Sequence, residues 1–343
     1  MKLGLNLGYA SPGTNPASLV PLAQEAERLG FDSVWAAEAW GTDAVTVLAW
    51  TAASTSRIKV GSAIMQIPGR TPANTAMTAA TLDLMSGGRF LLGLGTSGPQ
   101  VVEGWHGQPW GKPLVKTREY VEIVRAALRR EVVVHEGEHY RIPYDGPGAT
   151  GLGKPLKLML RPLRADIPIY LAAIGPKNVA LAVEIADGWL PIFVDPERFE
   201  DAFGPSIAGA RPGFEIAATA QVLVGDDVQA LRDSLKPHLA LYVGGMGAKG
   251  KNFYNALARR YGWEDAAERI QELYLAGHQR EAIAAVPDEL VRQISLIGPQ
   301  GFVAERVAAF ADAGVTTLLA TPLSTDRDES VRYVQELRPL LPD

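Results

Sequence analysis

Residues 89–107 read RFLLGLGTSGPQVVEGWHG, and the two halves of this stretch behave differently. Phe90 to Leu94 is an apolar run without polar alternation, as in a parallel strand covered on both faces. Gly93, Gly95 and Gly98 then remove side chains where the strand ends, so a flat ligand can come close to the backbone. The run Gly93-Leu94-Gly95-Thr96-Ser97-Gly98 also satisfies G-x-G-x-x-G. That pattern signals dinucleotide binding only inside a βαβ unit with an acidic ribose partner about 20 residues on. Here Pro99 and an irregular stretch through Pro109 and Pro113 follow, and a tight turn in an α/β core is the commoner explanation.

Outward from this strand the same alternation repeats. On the N-terminal side the pattern predicts strands at Leu3 to Leu7, Phe31 to Ala36 and Ile58 to Ile64. Helices are predicted at Pro16 to Leu29, Asp43 to Ser54 and Thr75 to Met85, the first ended by Gly30 and the last by Gly87-Gly88. Short strand, helix, strand connections imply a parallel sheet, because parallel strands need such crossovers. On the C-terminal side Lys116 to Arg130 reads as a helix, Val132 to Ile142 as a hairpin about Glu136-Gly137, and Pro143 to Lys157 as a Gly- and Pro-rich surface excursion. Strands return at Ile167 to Ala172, Gly188 to Phe193, Phe214 to Leu223 and Thr316 to Ala320. They alternate with helices at Lys177 to Ala186, Pro196 to Ala208, Pro299 to Ala313 and Asp328 to Leu340. Residues 225–298 read as a long helical insert broken by the mobile-looking Gly244-Gly245-Met246-Gly247. Eight β/α units predict an α/β fold, a TIM (β/α)8 barrel in one domain over 1–343, with insertions after strands 4 and 7 at about 131–166 and 225–298.

The chain has 343 residues, a formal net charge of -5 and no cysteine. Neutralising phosphates needs a basic face, so this balance excludes a general nucleic-acid binder. The lack of cysteine excludes disulfides, thiolate metal sites and a cysteine nucleophile, and fits a reducing compartment. The first residues read as a strand followed by a turn, with no signal peptide, and no apolar run reaches the roughly 18 residues of a membrane span. A cytoplasmic protein without nucleic-acid or membrane partners is expected. His135, His139, His238 and His278 show no metal-ligand spacing, so no metal is expected.

Four blocks carry a family resemblance: GFDSVWAAEAW (30–40), RIKVGSAIMQIPGRTP (57–72), SGGRFLLGLGTSGPQVVEGWHG (86–107) and IPIYLAAIGPKNVALAVEIADGWLP (167–191). With them the chain resembles the bacterial luciferase-like superfamily and, within it, the deazaflavin (coenzyme F420)-dependent oxidoreductases. The resemblance implies a hydride transfer between the deazaflavin C5 and a small organic substrate, F420 as cofactor with FMN as the alternative, and a homodimer. It also implies a non-prolyl cis peptide at Ala63–Ile64 that props the ring, with Thr96, Ser97 and Gly98 lining the other side. Gly175-Pro176-Lys177-Asn178 opens a helix after strand five, where free amides and the positive dipole end suit a phosphate. The implied cofactor-binding set is Asn6, Glu38, Ala63, Ile64, Thr96, Ser97, Gly98, Ala173, Gly175, Pro176, Lys177 and Asn178.

The sequence also departs from its relatives. Some place a histidine where this chain has Ala39, a glutamate where it has Asn6, and an acidic residue near Gly98. Their acid/base roles do not carry over, and the residues available for proton handling are Glu38, Glu103 and His106. Glu38 lies at a strand end facing the expected site, while Glu103 and His106 lie in the loop flanked by Trp105 and Trp110, which can wall a cavity, pack in a core or meet a second subunit. An FMN-dependent monooxygenase and a flavin-binding protein without turnover are the rival readings.

Overall fold

The computed structural model describes residues 1–10, 15–324 and 326–340, and in it the alternation of strand and helix closes on itself. The strands are β1 (Lys2–Gly8), β2 (Ser33–Ala36), β3 (Lys59–Ser62), β4 (Phe90–Gly95), β5 (Ile169–Ala172), β6 (Gly188–Leu190), β7 (Glu215–Val224) and β8 (Thr317–Pro322). All pair in parallel in sequence order, and β8 returns to β1, which leaves no open edge. Helices α1 (Leu19–Arg28), α2 (Ala44–Ala53), α3 (Pro72–Met85), α4 (Pro113–Leu128), α5 (Pro176–Ile185), α6 (Phe199–Ile207), α7 (Gln300–Asp312) and α8 (Arg327–Leu337) surround it. This is the expected (β/α)8 barrel. Several helices begin earlier than periodicity alone indicates, because caps extend them. The Thr71 hydroxyl accepts the Asn74 N–H ahead of α3, and Pro occupies the first turn of α3, α4 and α5. The turn expected near residues 11–14 lies outside the described residues.

Two cores follow from the two faces of the sheet. Outward-facing side chains pack under the helices, while Trp35, Leu91, Tyr170, Leu190, Ala217 and Leu319 fill the inside of the barrel. The indole of Trp35 occupies so much of that interior that its neighbours are bare. A Cβ on Gly61 would stand 2.5 Å from its ring, and one on Gly4 2.5 Å from the Leu319 side chain. At the amino end of the barrel Glu215 accepts from Lys2 (2.5 Å) and from the Tyr170 hydroxyl (2.9 Å), so this inward carboxylate is neutralised.

The first insertion contains the expected hairpin, His135–Glu136 against Arg141–Ile142. Glu119 on α4 holds it by accepting the N–H groups of Glu138, His139 and Tyr140 at 2.8–3.0 Å. Burial works against the charge of Glu119, but these donors outweigh it and keep the carboxyl below its ordinary range. The second insertion differs from the expected all-helical segment. Its last residues, Leu296–Gly298, form a strand beside Val222 to Val224 of β7. Its glycine break falls at a π-helical turn, Leu241–Gly245, where Gly244 and Gly245 lie against the Tyr274 ring. The stretch after Pro99, expected to be irregular, is the short helix Pro99–Gly104. Among the described residues no helix is long and apolar enough to cross a membrane.

Candidate active site

At the carboxyl ends of the strands the pairing of β3 with β4 is interrupted. Val60 and Gly61 pair with Phe90 and Leu91, and Met65 and Gln66 pair with Leu94 and Gly95. Three residues, Ser62 to Ile64, thus oppose two, Leu92 and Gly93, which makes a β-bulge, and its Ala63–Ile64 peptide is cis. The Ser62 hydroxyl replaces the missing ladder bonds. It donates to the Gly93 carbonyl (2.8 Å) and accepts the Gly93 N–H (2.9 Å). Gly93 has to be glycine, since a Cβ would lie 1.8 Å from the Ser62 carbonyl oxygen. On the β2 side the Ala63 N–H donates to Ala36 (2.8 Å) and the Glu38 N–H donates to the Ile64 carbonyl (3.2 Å).

A clamp of side chains holds the far end of the bulge. The Glu38 carboxylate accepts the backbone N–H of Gln66 (2.8 Å), that of Ala44 (3.2 Å) and two N–H groups of Arg70, the second at 3.0 Å. Arg70 donates further to Asp43 at 2.5 Å. Burial opposes the charge on Arg70, yet the two carboxylates raise its pKa above the ordinary value. The Gln66 side-chain amide donates to the Glu38 carbonyl (3.2 Å), and its oxygen lies 2.6 Å from His106 Nε2, which donates as the Nε2–H tautomer. The structure therefore brings Glu38 and His106 together through Gln66. Glu38, expected among the proton-handling groups, has both oxygens engaged and positions the bulge. Glu103 is exposed on the helix Pro99–Gly104, and Trp105 is 66 % exposed, so neither walls an interior cavity.

Ala63, Ile64 and Ala172 pack against the inner core at the mouth. Gly95 is bare beside Ile64, whose Cδ1 would lie 2.8 Å from a Cβ there. Ser97 follows at φ +60°, and Gly98 starts the short helix. Ala173, expected to line the cofactor, does not face the mouth. Side chains alternate along β5 from the inward Tyr170, so Ala172 points inward and Ala173 into the outer core, where its carbonyl accepts from Trp189 Nε1 at 2.9 Å. Asn6 faces the mouth, and its side-chain oxygen accepts the Gly8 N–H (3.0 Å).

α5 starts at Gly175, whose backbone is extended and which offers no side-chain cap, with Pro176 in the first turn and Lys177 exposed beside it. No side chain caps its first turn, where the Asn178 N–H bonds back to the Gly175 carbonyl (2.9 Å). A Cβ on Gly175 would meet nothing nearer than the Phe253 ring at 3.8 Å, so the cradle is open. These residues fit a phosphate. Over the end of β6, the second insertion contributes an aromatic cover. His238 lies 4.5 Å from the Tyr242 ring and 5.7 Å from Phe193, and burial lowers the imidazole pKa to about 4. No local motif in the sequence marks this cover, because its members come from distant elements.

The match to the family described as luciferase-like monooxygenase covers residues 2–317. A Mycobacterium tuberculosis protein named provisionally as a coenzyme F420-dependent oxidoreductase is 50 % identical, over 95 % of this chain and 96 % of its own. The 5,10-methylenetetrahydromethanopterin reductase of Archaeoglobus fulgidus is 31 % identical, over 92 % of this chain and 93 % of its own. Among solved structures, the coenzyme F420-dependent tetrahydromethanopterin reductase of Methanopyrus kandleri superposes with a TM-score of 0.78 at 26 % identity, covering 98 % of both chains.

Proposed function

Because the chain belongs to the luciferase-like monooxygenase family and is an enzyme of that class, we propose that it is a coenzyme F420-dependent oxidoreductase acting on a small organic substrate. The observation that carries this reading is the pairing of a clamped apolar bulge at Ala63–Ile64 with an open, uncapped helix start at Gly175. A flat ring needs a firm apolar support, and its phosphate end needs amides and positive charge. The names of the M. tuberculosis and M. kandleri relatives support F420 over FMN.

When bound, the deazaflavin supplies a two-electron hydride chemistry at C5, and the protein supplies binding and orientation. Ile64 and Ala63 present an apolar face to the ring. Gly175, Lys177 and Asn178 hold the phosphate end, and Thr96, Ser97 and Gly98 close the side of β4. The Glu38, Arg70 and Gln66 clamp keeps the bulge in register, and His106 ties the loop after β4 to it. Hydride transfer depends on holding two reactants in line at close range, which a rigid support favours.

Titration of the purified protein with F420 and with FMN tests the reading. F420 is expected to bind more tightly, and reduced F420 to be reoxidised by organic substrate in preference to oxygen. Preferred binding of FMN, with rapid oxygen uptake after reduction, would assign the protein to the monooxygenases instead.

A further inference from the structure

Across the barrel from the bulge the wall changes character. Ala217 and Leu319 pack on the inner core, so the two-residue period of a strand turns Thr219, Gln221 and Thr321 inward as well, nearer the mouth. Register places Gln221 directly beside Thr321, and Thr219 beside Leu319. Gln221 is 6 % exposed, yet its Oε1 has no hydrogen-bond partner, and the buried Oγ1 of Thr321 has none. Buried polar groups are paired in the great majority of cases, so two adjacent orphans on the inward face at the mouth call for an explanation.

Charge narrows what can meet them. The inward positions Asn6, Gly95, Ala172, Thr219, Gln221 and Thr321 toward the mouth carry no ionisable group. The charged Glu215 on the same face of β7 lies at the opposite end of the strand and is already paired. An anion or cation drawn down to this level would lose its hydration without a counter-charge, which costs far more than a neutral group loses. A glutamine amide and a threonine hydroxyl each both donate and accept, so together they suit a carbonyl, a hydroxyl or an amide.

We propose that Gln221 and Thr321 form the polar subsite for the substrate, which presents an uncharged hydrogen-bonding group to β7 and β8 and its carbon skeleton to the apolar side of the mouth. This rests on the reading of Ala63–Ile64 as the seat of the cofactor ring, which leaves the opposite wall to the substrate. The pair determines specificity: an analogue without the polar group leaves both orphans unpaired and is rejected.

Thr321→Val keeps shape, Gln221→Leu keeps approximate volume, both remove the hydrogen-bonding atoms, and three measurements on them test the assignment. In the ligand-free protein, thermal melting is expected to be unchanged or raised by about 1–3 °C, since apolar isosteres relieve unpaired buried groups. A fall of several degrees would show a structural role and overturn the proposal. In ligand-observed NMR, the wild type is expected to bind cyclohexanone, cyclohexanol or benzamide in preference to cyclohexanecarboxylate and cyclohexylammonium, and the double variant to bind the neutral probes at least tenfold more weakly. Binding of the carboxylate as tight as that of the ketone, no binding of any neutral probe to the wild type, or unchanged binding by the variant would each overturn it. Fluorescence titration with F420 is expected to give the same affinity in wild type and variants. A tenfold loss there would assign the pair to the ring's own polar edge and overturn the substrate subsite. Failure of the wild type to bind F420 would count against the proposed function alone, because the probe measurements also run on the ligand-free protein.

Discussion

The two walls of the barrel mouth treat polar groups in opposite ways. Around β2, β3 and β4, Ser62, Glu38, Gln66, Arg70 and His106 bond one another or the backbone. Around β7 and β8, Gln221 and Thr321 lie side by side with buried oxygens that bond nothing. Both walls belong to one barrel, so strand geometry is not the cause. A support must keep its shape whether or not a ligand is present, which calls for polar groups satisfied internally. A recognition surface must leave bonds unmade until its ligand arrives, and bears the stability cost of doing so.

The largest expected effect comes from breaking the satisfied wall at its charge pair. Glu38 and Arg70 side chains are 10 % and 15 % exposed. Arg70→Ala leaves a buried carboxylate and is expected to cost about 3–5 kcal/mol, read by urea unfolding. The Glu38→Ala, Arg70→Ala double variant should lose less than the sum of the singles, because the two act as one unit. A loss under about 1 kcal/mol for Arg70→Ala would show that the clamp does not hold the bulge.

The proposed cofactor anchor at Gly175 and Lys177 lies outside both walls and separates binding from stability. Lys177→Ala is expected to weaken F420 binding by about 1.5–3 kcal/mol, roughly 10- to 150-fold, if a charge-assisted contact is formed. Gly175→Val should weaken it as well, by blocking close approach, and the open space around Gly175 lets the fold accept the change. Both variants should melt like the wild type. Unchanged F420 affinity in both would reduce the site to a helix start.

Within the satisfied wall, Ser62→Ala sharpens the comparison, because the lost hydroxyl leaves both the N–H and the carbonyl of Gly93 unpaired in a buried place. A cost of about 2 kcal/mol is expected in the same unfolding assay. The sign is opposite to that expected for Gln221→Leu, although both changes delete a buried polar group near the carboxyl end of a barrel strand. Equal signs would dissolve the distinction between the walls.

The smallest effect is at the edge of the clamp. His106→Ala removes one hydrogen bond, to Gln66, worth about 1 kcal/mol, and releases the loop after β4. Hydrogen exchange should rise across residues 97–112 and stay level across β7 and β8. Exchange that rises equally in both places would mean that His106 supports the whole mouth.

Much of the architecture was legible in the sequence because its causes are local. A short, largely apolar run followed by a helix recurs eight times, and each is set by neighbours a few positions apart. The strand Leu296–Gly298 was missed because three residues carry too little pattern to separate them from the helices before them. The bulge was suggested by family resemblance and never by propensity. The side chain of Ala173 points to the outer core and that of Ala172 to the mouth, because one position along a strand exchanges the two faces.

The sequence by itself determined the barrel, the position of the glycines at the ends of β4 and β5, and the residue types from which a cofactor site can be built. Only the tertiary structure decided which of those polar residues were free. Glu38 meets Arg70 across 32 positions, Gln66 meets His106 across 40, and Gln221 meets Thr321 across β7 and β8. Whether a carboxylate or an amide is satisfied depends on partners brought close by closure of the barrel. Such a pairing leaves no local pattern in a chain, since hydrogen bonds act over about 3 Å of space whatever the separation in sequence.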